Sequence, residues 1–216
     1  LIEVHLSKEI RNFTYSLKTI STLAEAEEAF KQTPVLNMLN TKYVIYAPQA
    51  MPISNPYKLG NAWLVDNVNL VNSADEEMLS LGLDSLQNTV VVDKAVENAP
   101  TYQKYNSANG KIELIEYKPN AMTYKFSSTE DQLAVFSEIY YPDGWNAYIN
   151  GEVAEYFRAN YLLRAIELKA GDYTIEFRFE PKSYDIGKIL SIICSILLTT
   201  AFGCIIFAHL KNNFKR

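Results

Sequence analysis

The chain has 216 residues, of which 48% are hydrophobic and 21% are charged, so it is long enough to bury a hydrophobic core. Eight glycines and eight prolines among residues of mixed charge exclude collagen and low-complexity disorder. A formal net charge of −5 argues against nucleic acid as a partner. Two histidines and two cysteines exclude most histidine-based catalysis and a disulfide scaffold.

Residues 1–96 are predicted to form a small α+β unit. Residues 19–39 are rich in Ala, Glu and Leu and predict helical turns. Two stretches have the pattern of a hydroxyl residue followed by Glu that caps a helix, namely Ser21 or Thr22 before Glu25 and Ser73 before Glu76. Runs of β-branched and aromatic residues predict strands over 41–47, over 61–71 as a strand or a strand pair, and over 89–93.

Residues 97–110 are polar and rich in turn residues, which predicts a linker or a loop. Residues 111–182 are predicted to form an antiparallel β-sandwich, because seven short strands follow one another with turn signals between them. These strands are Lys111–Tyr117, Met122–Ser127, Leu133–Tyr140, Trp145–Ile149, Val153–Phe157, Leu162–Leu168 and Tyr173–Phe179. Asn150-Gly151 is the typical pair of a type I′ hairpin turn.

Residues 183–210 are predicted to form a single C-terminal transmembrane α-helix. Ile189–Leu210 is a run of 22 residues without a fixed charge, and as a helix it is about 33 Å long, enough for a hydrocarbon layer of about 30 Å. The alternative is a buried helix of a soluble core. The lack of any polar stripe favours the membrane. Cys194 and Cys204 both lie in this run and are too far apart along it to form a disulfide.

The distribution of charge predicts the orientation. All 25 acidic and 16 of the 20 basic residues lie in residues 1–185, which therefore carry a formal charge of −9. Residues 211–216 form a basic tail that the positive-inside tendency places in the cytoplasm, with residues 1–185 outside the cytoplasmic membrane of a bacterium. Because no export signal precedes this acidic part, we expect the chain to be the C-terminal part of a longer membrane protein.

Motifs of catalysis are missing. His5 is the single histidine before the apolar run, so neither a Ser-His-Asp triad nor a histidine-rich zinc site is predicted. His209, at the end of the run, is predicted to lie at the membrane interface. Four carboxylates could supply a pair for glycoside chemistry, but solvated strand faces explain them better: Glu138, Asp143, Glu152 and Glu155. We predict no catalytic residue, no metal and no cofactor.

Aromatic residues cluster between residues 140 and 161, beside amide and guanidinium groups. Aromatic faces next to such donors suit contact with a sugar or a lipid headgroup. The residues predicted to contact a glycan are Tyr141, Trp145, Tyr148, Asn160, Tyr161 and Arg164. The alternative is that these rings simply fill the core of the sandwich.

Several segments resemble the C-terminal end of the bacterial YfhO membrane-protein family, and we expect the resemblance to extend over nearly the whole chain. These segments are Leu36–Ile45, Asn61–Val65, Glu138–Gly151, Arg158–Ala165, Ala170–Gly171 and Phe177–Pro181. The chain departs from the family's Pro-Gly-Trp pattern by the added Asp143 between Pro142 and Gly144.

The resemblance implies a large polytopic protein similar to glycosyltransferases of the GT-C architecture, which use lipid-phosphate sugars. It implies that the catalytic acid lies in an outward loop outside these 216 residues, so that this part is an accessory module without its own catalytic centre. The expected partners are the lipid bilayer, the other transmembrane helices and an envelope glycan or lipid-linked sugar. The alternative is a structural or protein-interaction ectodomain that binds no glycan.

Overall fold

The computed structural model describes residues 2–82, 85–100 and 104–213, and in the first and last helices it describes side chains from Leu6 on and up to Phe207. This part of the chain contains five α-helices: α1 (Ile2–Ser16), α2 (Leu23–Glu28), α3 (Pro34–Met38), α4 (Ala74–Ser80) and α5 (Lys182–Asn213). It also contains thirteen strands: β1 (Tyr43–Val44), β2 (Ile53–Ser54), β3 (Ala62–Val65), β4 (Asn67–Val71), β5 (Thr89–Asp93), β6 (Gly110–Lys118), β7 (Ala121–Ser128), β8 (Gln132–Ile139), β9 (Trp145–Ile149), β10 (Glu152–Ala154), β11 (Phe157–Ala159), β12 (Leu163–Leu168) and β13 (Gly171–Phe179).

Two antiparallel sheets pack face to face as a sandwich. One sheet has the strand order β10-β9-β13-β7-β6, and the other has the order β11-β12-β8-β3. Buried side chains of alternating strand positions meet between the sheets. The rings of Tyr124 and Phe136 have centroids 4.9 Å apart, and those of Phe136 and Phe177 are 5.0 Å apart, both edge to face. The predicted β-sandwich followed by a C-terminal helix is confirmed.

The four-stranded sheet is buried on both faces. Its second face packs against the N-terminal elements, where Trp63 and Val135 share a core cluster with Met78 and Val91. This explains why Gln132–Phe136 of β8 are all buried, whereas a sheet with one wet face alternates between buried and exposed residues. The chain therefore has a second hydrophobic core outside the sandwich.

Strand pairing connects the segments on either side of the predicted linker. β3 pairs with β8, with Trp63 opposite Val135. β4 pairs in parallel with β5, beside this junction. The described part of the linker forms hydrogen bonds to both sides, since Tyr105 N–H donates to Asp66 O at 2.7 Å and Gln132 Nε2 donates to Asn106 O at 2.8 Å. Residues 101–103 lie outside the described residues. The division of the chain at residues 97–110 stays a prediction.

Local sequence signals explain how several elements begin and turn. The hydroxyls of Thr22 and Ser73 each accept a hydrogen bond from the backbone N–H three residues later at 3.2 Å, which confirms both predicted N-caps. Asn150 and Gly151 have φ of 50° and 88°, as the hairpin turn between β9 and β10 requires. The predicted strand 153–157 is instead divided, because β10 and β11 belong to different sheets and the chain turns the corner between them.

Helix α5 projects from the sandwich. The stretch Lys182–Phe207 is long and apolar enough to cross a membrane, and none of its most apolar window is buried against the rest of the described chain. The hydroxyls of Ser195 and Thr199 donate to helix carbonyls four residues earlier at 2.8 and 2.7 Å, which satisfies these polar groups in an apolar surrounding. The alternative of a buried core helix is wrong for this structure.

Candidate functional site

One end of the sandwich is joined directly to α5. β13 ends at Phe179, and Glu180 and Pro181 lead into the helix. The β8–β9 loop, residues 140–144, lies against this connection: Glu180 N–H donates to Gly144 O at 2.6 Å. Gly144 has φ of +108°, and a Cβ there would lie 3.2 Å from the Cα of Pro181. Glycine is therefore needed for this close approach. We call this region the helix-proximal end.

Trp145 closes the core at the helix-proximal end. It is the first residue of β9 and pairs with Phe179 in the register of the sheet, so its ring points between the two sheets. The ring centroids of Trp145 and Phe179 are 5.4 Å apart. On another side, the guanidinium of Arg164 lies 4.4 Å from the centroid of the Trp145 ring. The ring is partly exposed, so it packs in the core and also reaches the surface.

Arg164 is a buried cation with few polar partners. Its residue surface is 2% exposed, and its guanidinium lies between the rings of Trp145 and Phe177, the latter at 5.0 Å. Nε donates to the carbonyl of Ile139 at 3.0 Å, whereas Nη1 has no hydrogen-bond partner among the described residues. Burial lowers the pKa of Arg164. Burial also raises the pKa of Glu138, against the opposing effect of the Arg164 charge. Arg164 therefore supports the aromatic end of the core from within.

The outer face of the five-stranded sheet carries a partly exposed polar and aromatic group. Tyr148 Oη donates to Glu180 at 2.7 Å, and Asn146 Nδ2 donates to the same carboxylate at 3.2 Å. The guanidinium of Arg178 lies 4.6 Å from the centroid of the Tyr148 ring and pairs with Glu176. The two donated hydrogen bonds lower the pKa of Glu180, and the bond to Glu180 raises the pKa of Tyr148. We call these five residues the Tyr148 patch.

Asn160 and Tyr161 lie on the opposite side of the sandwich. Both have left-handed backbones, with φ of 47° and 71°. Asn160 is fully buried: its Oδ1 accepts from Val91 N–H at 2.8 Å and its own N–H donates to Val91 O at 2.8 Å. Tyr161 N–H donates to Glu77 at 2.7 Å, and Glu77 also pairs with Arg158 at 2.7 Å. This corner binds the sandwich to α4 and β5.

The six predicted contact residues therefore fall in three places. Trp145 and Arg164 lie at the helix-proximal end, together with Tyr141, which is 52% exposed. Tyr148 lies on the outer face of the five-stranded sheet, and Asn160 and Tyr161 lie at the junction with the N-terminal elements. Asn160 and Arg164 are buried and have structural partners, so contact with a surface ligand is left to the partly or fully exposed aromatic members. Glycan contact at any of them stays a prediction.

The sequence reasoning missed Arg178 and Glu180. The alternation along β13 does place Arg178 on the wet face of the strand, but only the register, with Glu176 opposite Tyr148, brings these charges to the tyrosine ring.

A polar cleft of about 930 Å³ was also not predicted from the sequence. It lies between the short helical turn Ala29–Gln32 and β3, and Lys31, Tyr57 and Asn88 are among its lining residues.

Two of the weaker sequence candidates can also be placed. Glu138 is on β8 and Glu152 is on β10, in different sheets, which does not favour their acting as a catalytic pair. The side chain of His5 lies outside the described residues. Over the part of the chain that the structure describes, no group of three or more His, Cys, Asp or Glu side chains could hold a metal ion.

Comparison with known proteins places this chain in a family. Residues 54–191, more than half of the chain, match the family described as "Bacterial membrane protein YfhO". The chain is 24% identical over 119 residues to the "Uncharacterized protein YfhO" of Bacillus subtilis (strain 168), an alignment that covers 55% of this chain and 14% of that protein. No solved structure matches. The matched residues include β3–β13 and the start of α5, and the chain thus belongs to the YfhO family of bacterial membrane proteins.

Proposed function

We propose that this part of the chain is an extracytoplasmic accessory module of a YfhO-like membrane protein, and that it contacts an envelope glycan or a lipid-linked sugar without a catalytic centre of its own. One observation carries the proposal. The Tyr148 patch offers an aromatic ring beside a carboxylate, an amide and a guanidinium, on the exposed face of the strands that lead into α5.

The chemistry of the Tyr148 patch suits a sugar. Sugar hydroxyls both donate and accept hydrogen bonds, while the C–H face of the ring stacks on aromatic side chains. Glu180, whose pKa is lowered, supplies an acceptor, and Asn146 and Arg178 supply donors. Arg178 lies over the Tyr148 ring, so a cation stands beside the aromatic surface in the same patch.

The proposed orientation is supported by the charges that follow α5. The basic tail begins with Lys211 and contains Lys215 and Arg216, which lie outside the described residues. Positive residues beside a span favour the cytoplasmic side, which supports an outer position for the acidic sandwich. An envelope glycan or a lipid-linked sugar on the outer leaflet could then reach the Tyr148 patch.

The role in sugar transfer depends on the rest of the protein. The alignment covers 14% of the length of the Bacillus protein, and we propose that further transmembrane helices and the reaction belong to a larger protein of that kind. In the proposal, those helices hold the catalytic centre, and the sandwich holds or orients a substrate beside them.

Binding by the full chain in lipid nanodiscs tests the proposal. Isothermal titration with envelope glycans and with a soluble lipid-linked sugar analogue should show saturable heat that Tyr148→Ala abolishes. Tyr117→Ala is the matched control, since Tyr117 is an exposed tyrosine on β6 of the same sheet. No heat from the wild-type chain at millimolar sugar, or equal heat from Tyr148→Ala, would contradict the proposal.

A second function, a structural module that docks against the remaining helices of the larger protein and binds no glycan, is favoured by one surface. Strand β1 and the connection from β1 to β2 expose a group of large apolar side chains: Tyr43, Ile45, Tyr46 and Met51. Met51 is 81% exposed, and a group of this kind on one loop is typical of an interaction site. If this is the main role, Ile45→Lys should release the chain from the remaining helices of the protein when both are co-expressed, whereas Tyr148→Ala should leave the two associated.

A further inference from the structure

We infer that the helix-proximal end of the sandwich rests on the membrane surface, with aromatic side chains at the β8–β9 loop and the first turn of α5 reaching into the headgroup layer. The partner in this inference is the lipid headgroup and interfacial region of the bilayer that α5 crosses. The inference depends on α5 as a membrane span and not on sugar binding by the Tyr148 patch. It holds for either orientation of the chain.

The height of the loop above the hydrocarbon follows from chain geometry. Pro181 is eight residues before Ile189, where the charge-free segment begins, and eight residues of helix rise about 12 Å. The headgroup layer is about 5–8 Å deep on each side of the hydrocarbon. Because Gly144 is packed against Pro181, the loop cannot move far from this height without breaking the hydrogen bond between Glu180 N–H and Gly144 O. The backbone of the loop therefore lies just above the headgroup layer, and a side chain that projects from the loop toward the membrane reaches that layer.

The side chains at this height are those that favour an interface. Tyr141 of the loop is 52% exposed, Tyr184 in the first turn of α5 is 67% exposed, and the ring of Trp145 is partly exposed. Trp and Tyr are enriched at membrane–water interfaces because one end of each ring is apolar and the other is polar. If these rings faced water, their apolar surface would remain hydrated and would contribute nothing to stability. In the headgroup layer they bury apolar surface.

The charged groups nearby are compatible with this position. Asp143 is the charged residue of the loop and is exposed, so it remains hydrated among the headgroups. Lys182 lies in the first turn of α5 and Lys188 in the second, and lysine stems extend along a helix while their ammonium groups remain in the headgroup layer. The buried Arg164 supports the Trp145 ring from the core side, so the loop is held by packing before it meets lipid.

Depth-dependent fluorescence quenching of the full chain in liposomes tests the inference. The chain has two tryptophans, and Trp63 is buried in the other core, so the difference between wild type and Trp145→Phe reports on Trp145. We expect lipids brominated close to the headgroup to quench the wild type severalfold more than Trp145→Phe. Aqueous iodide should quench both to a similar extent.

A matched pair of positions makes the test independent of Trp145. In the Trp145→Phe background, Tyr141→Trp places a probe in the loop. Ala170→Trp places one in the exposed hairpin between β12 and β13, about 26 Å away along β13. Brominated lipid should quench the probe at residue 141 severalfold more than the probe at residue 170, and iodide should show the reverse order. Equal quenching of the two probes by lipid, or stronger iodide quenching at residue 141, would overturn the inference. Lipid quenching without any sugar binding would support it and count against the glycan proposal alone.

Discussion

Asn160 provides the sharpest test of how the sandwich is attached to the N-terminal elements. Asn160 takes the place of a neighbouring strand for β5. Its side-chain Oδ1 accepts from Val91 N–H, and its backbone N–H donates to Val91 O, both at 2.8 Å. Val91 is itself completely buried. Asparagine also tolerates the left-handed φ of 47° better than other residues with a side chain. Two separate stabilising effects are therefore combined at one residue.

The two effects can be estimated and separated. Removal of the Asn160 amide leaves the buried Val91 N–H without a partner, which costs about 1–3 kcal/mol. A left-handed alanine costs a further 1–2 kcal/mol or so, which glycine avoids. We therefore expect Asn160→Ala to lower the free energy of unfolding by about 2–5 kcal/mol. Asn160→Gly should lower it by about 1–3 kcal/mol, because glycine loses only the hydrogen bond.

Urea unfolding of the full chain in mild detergent, followed by tryptophan emission, measures both variants. Trp63 is a suitable reporter, because its indole N–H donates to Leu86 O at 3.0 Å within the same core cluster. If the free energy of unfolding of Asn160→Ala is within about 0.5 kcal/mol of the wild-type value, the range of ordinary surface substitutions, the reasoning is refuted. Equal losses of unfolding free energy in Asn160→Ala and Asn160→Gly would show that the left-handed backbone adds no cost for alanine.

Three further predictions concern packing and titration. Gly144→Val should lower the melting temperature measured by differential scanning calorimetry, because its side chain would clash with Pro181 and strain a φ of +108°; an unchanged melting temperature would contradict the close packing at the loop. Phe177→Ala should lower the free energy of unfolding in urea by about 3–5 kcal/mol, because the Phe177 ring contacts three other aromatic rings. A decrease of less than about 1 kcal/mol would argue that the two sheets are not packed as described. Burial raises the pKa of Glu9 above its ordinary 4.5 although two backbone N–H groups of α3 donate to it, so the folded state binds a proton more readily than the unfolded state. That contribution to stability is complete below pH 4.5 and is lost as pH rises through the folded pKa, so the stability of the wild type relative to Glu9→Gln should fall from acid toward neutral pH; a difference that stays constant with pH would contradict it.

The predicted elements that depend on near neighbours in the chain agree with the structure. The capping residues Thr22 and Ser73 act within one helical turn, and the turn at Asn150-Gly151 depends on the φ values of two residues. The apolar run of α5 is recognisable because a lipid-facing helix needs no tertiary partner. The exception is the predicted strand 153–157, where a corner between two sheets divides a continuous β-favouring run.

The aromatic cluster shows what local pattern could not decide. Tyr148 and Trp145 are three residues apart on one strand, so the alternation of side chains puts them on opposite faces of the sheet. Asn160 lies close to both in sequence, but its hydrogen-bond partner is 69 residues away on β5. Closeness along the chain therefore suggested one binding surface where the structure has three separate places.

The amino-acid sequence alone determined the membrane helix, the strand-rich region before it and the turns between strands, because each follows from hydrophobicity, β propensity or backbone preference over a few residues. The tertiary structure alone decided which rings are exposed, that Arg164 is buried behind Trp145, and that the Tyr148 patch and the β8–β9 loop lie beside the first turn of α5. Those features depend on strand register and sheet order, which are set by contacts between residues far apart in the chain.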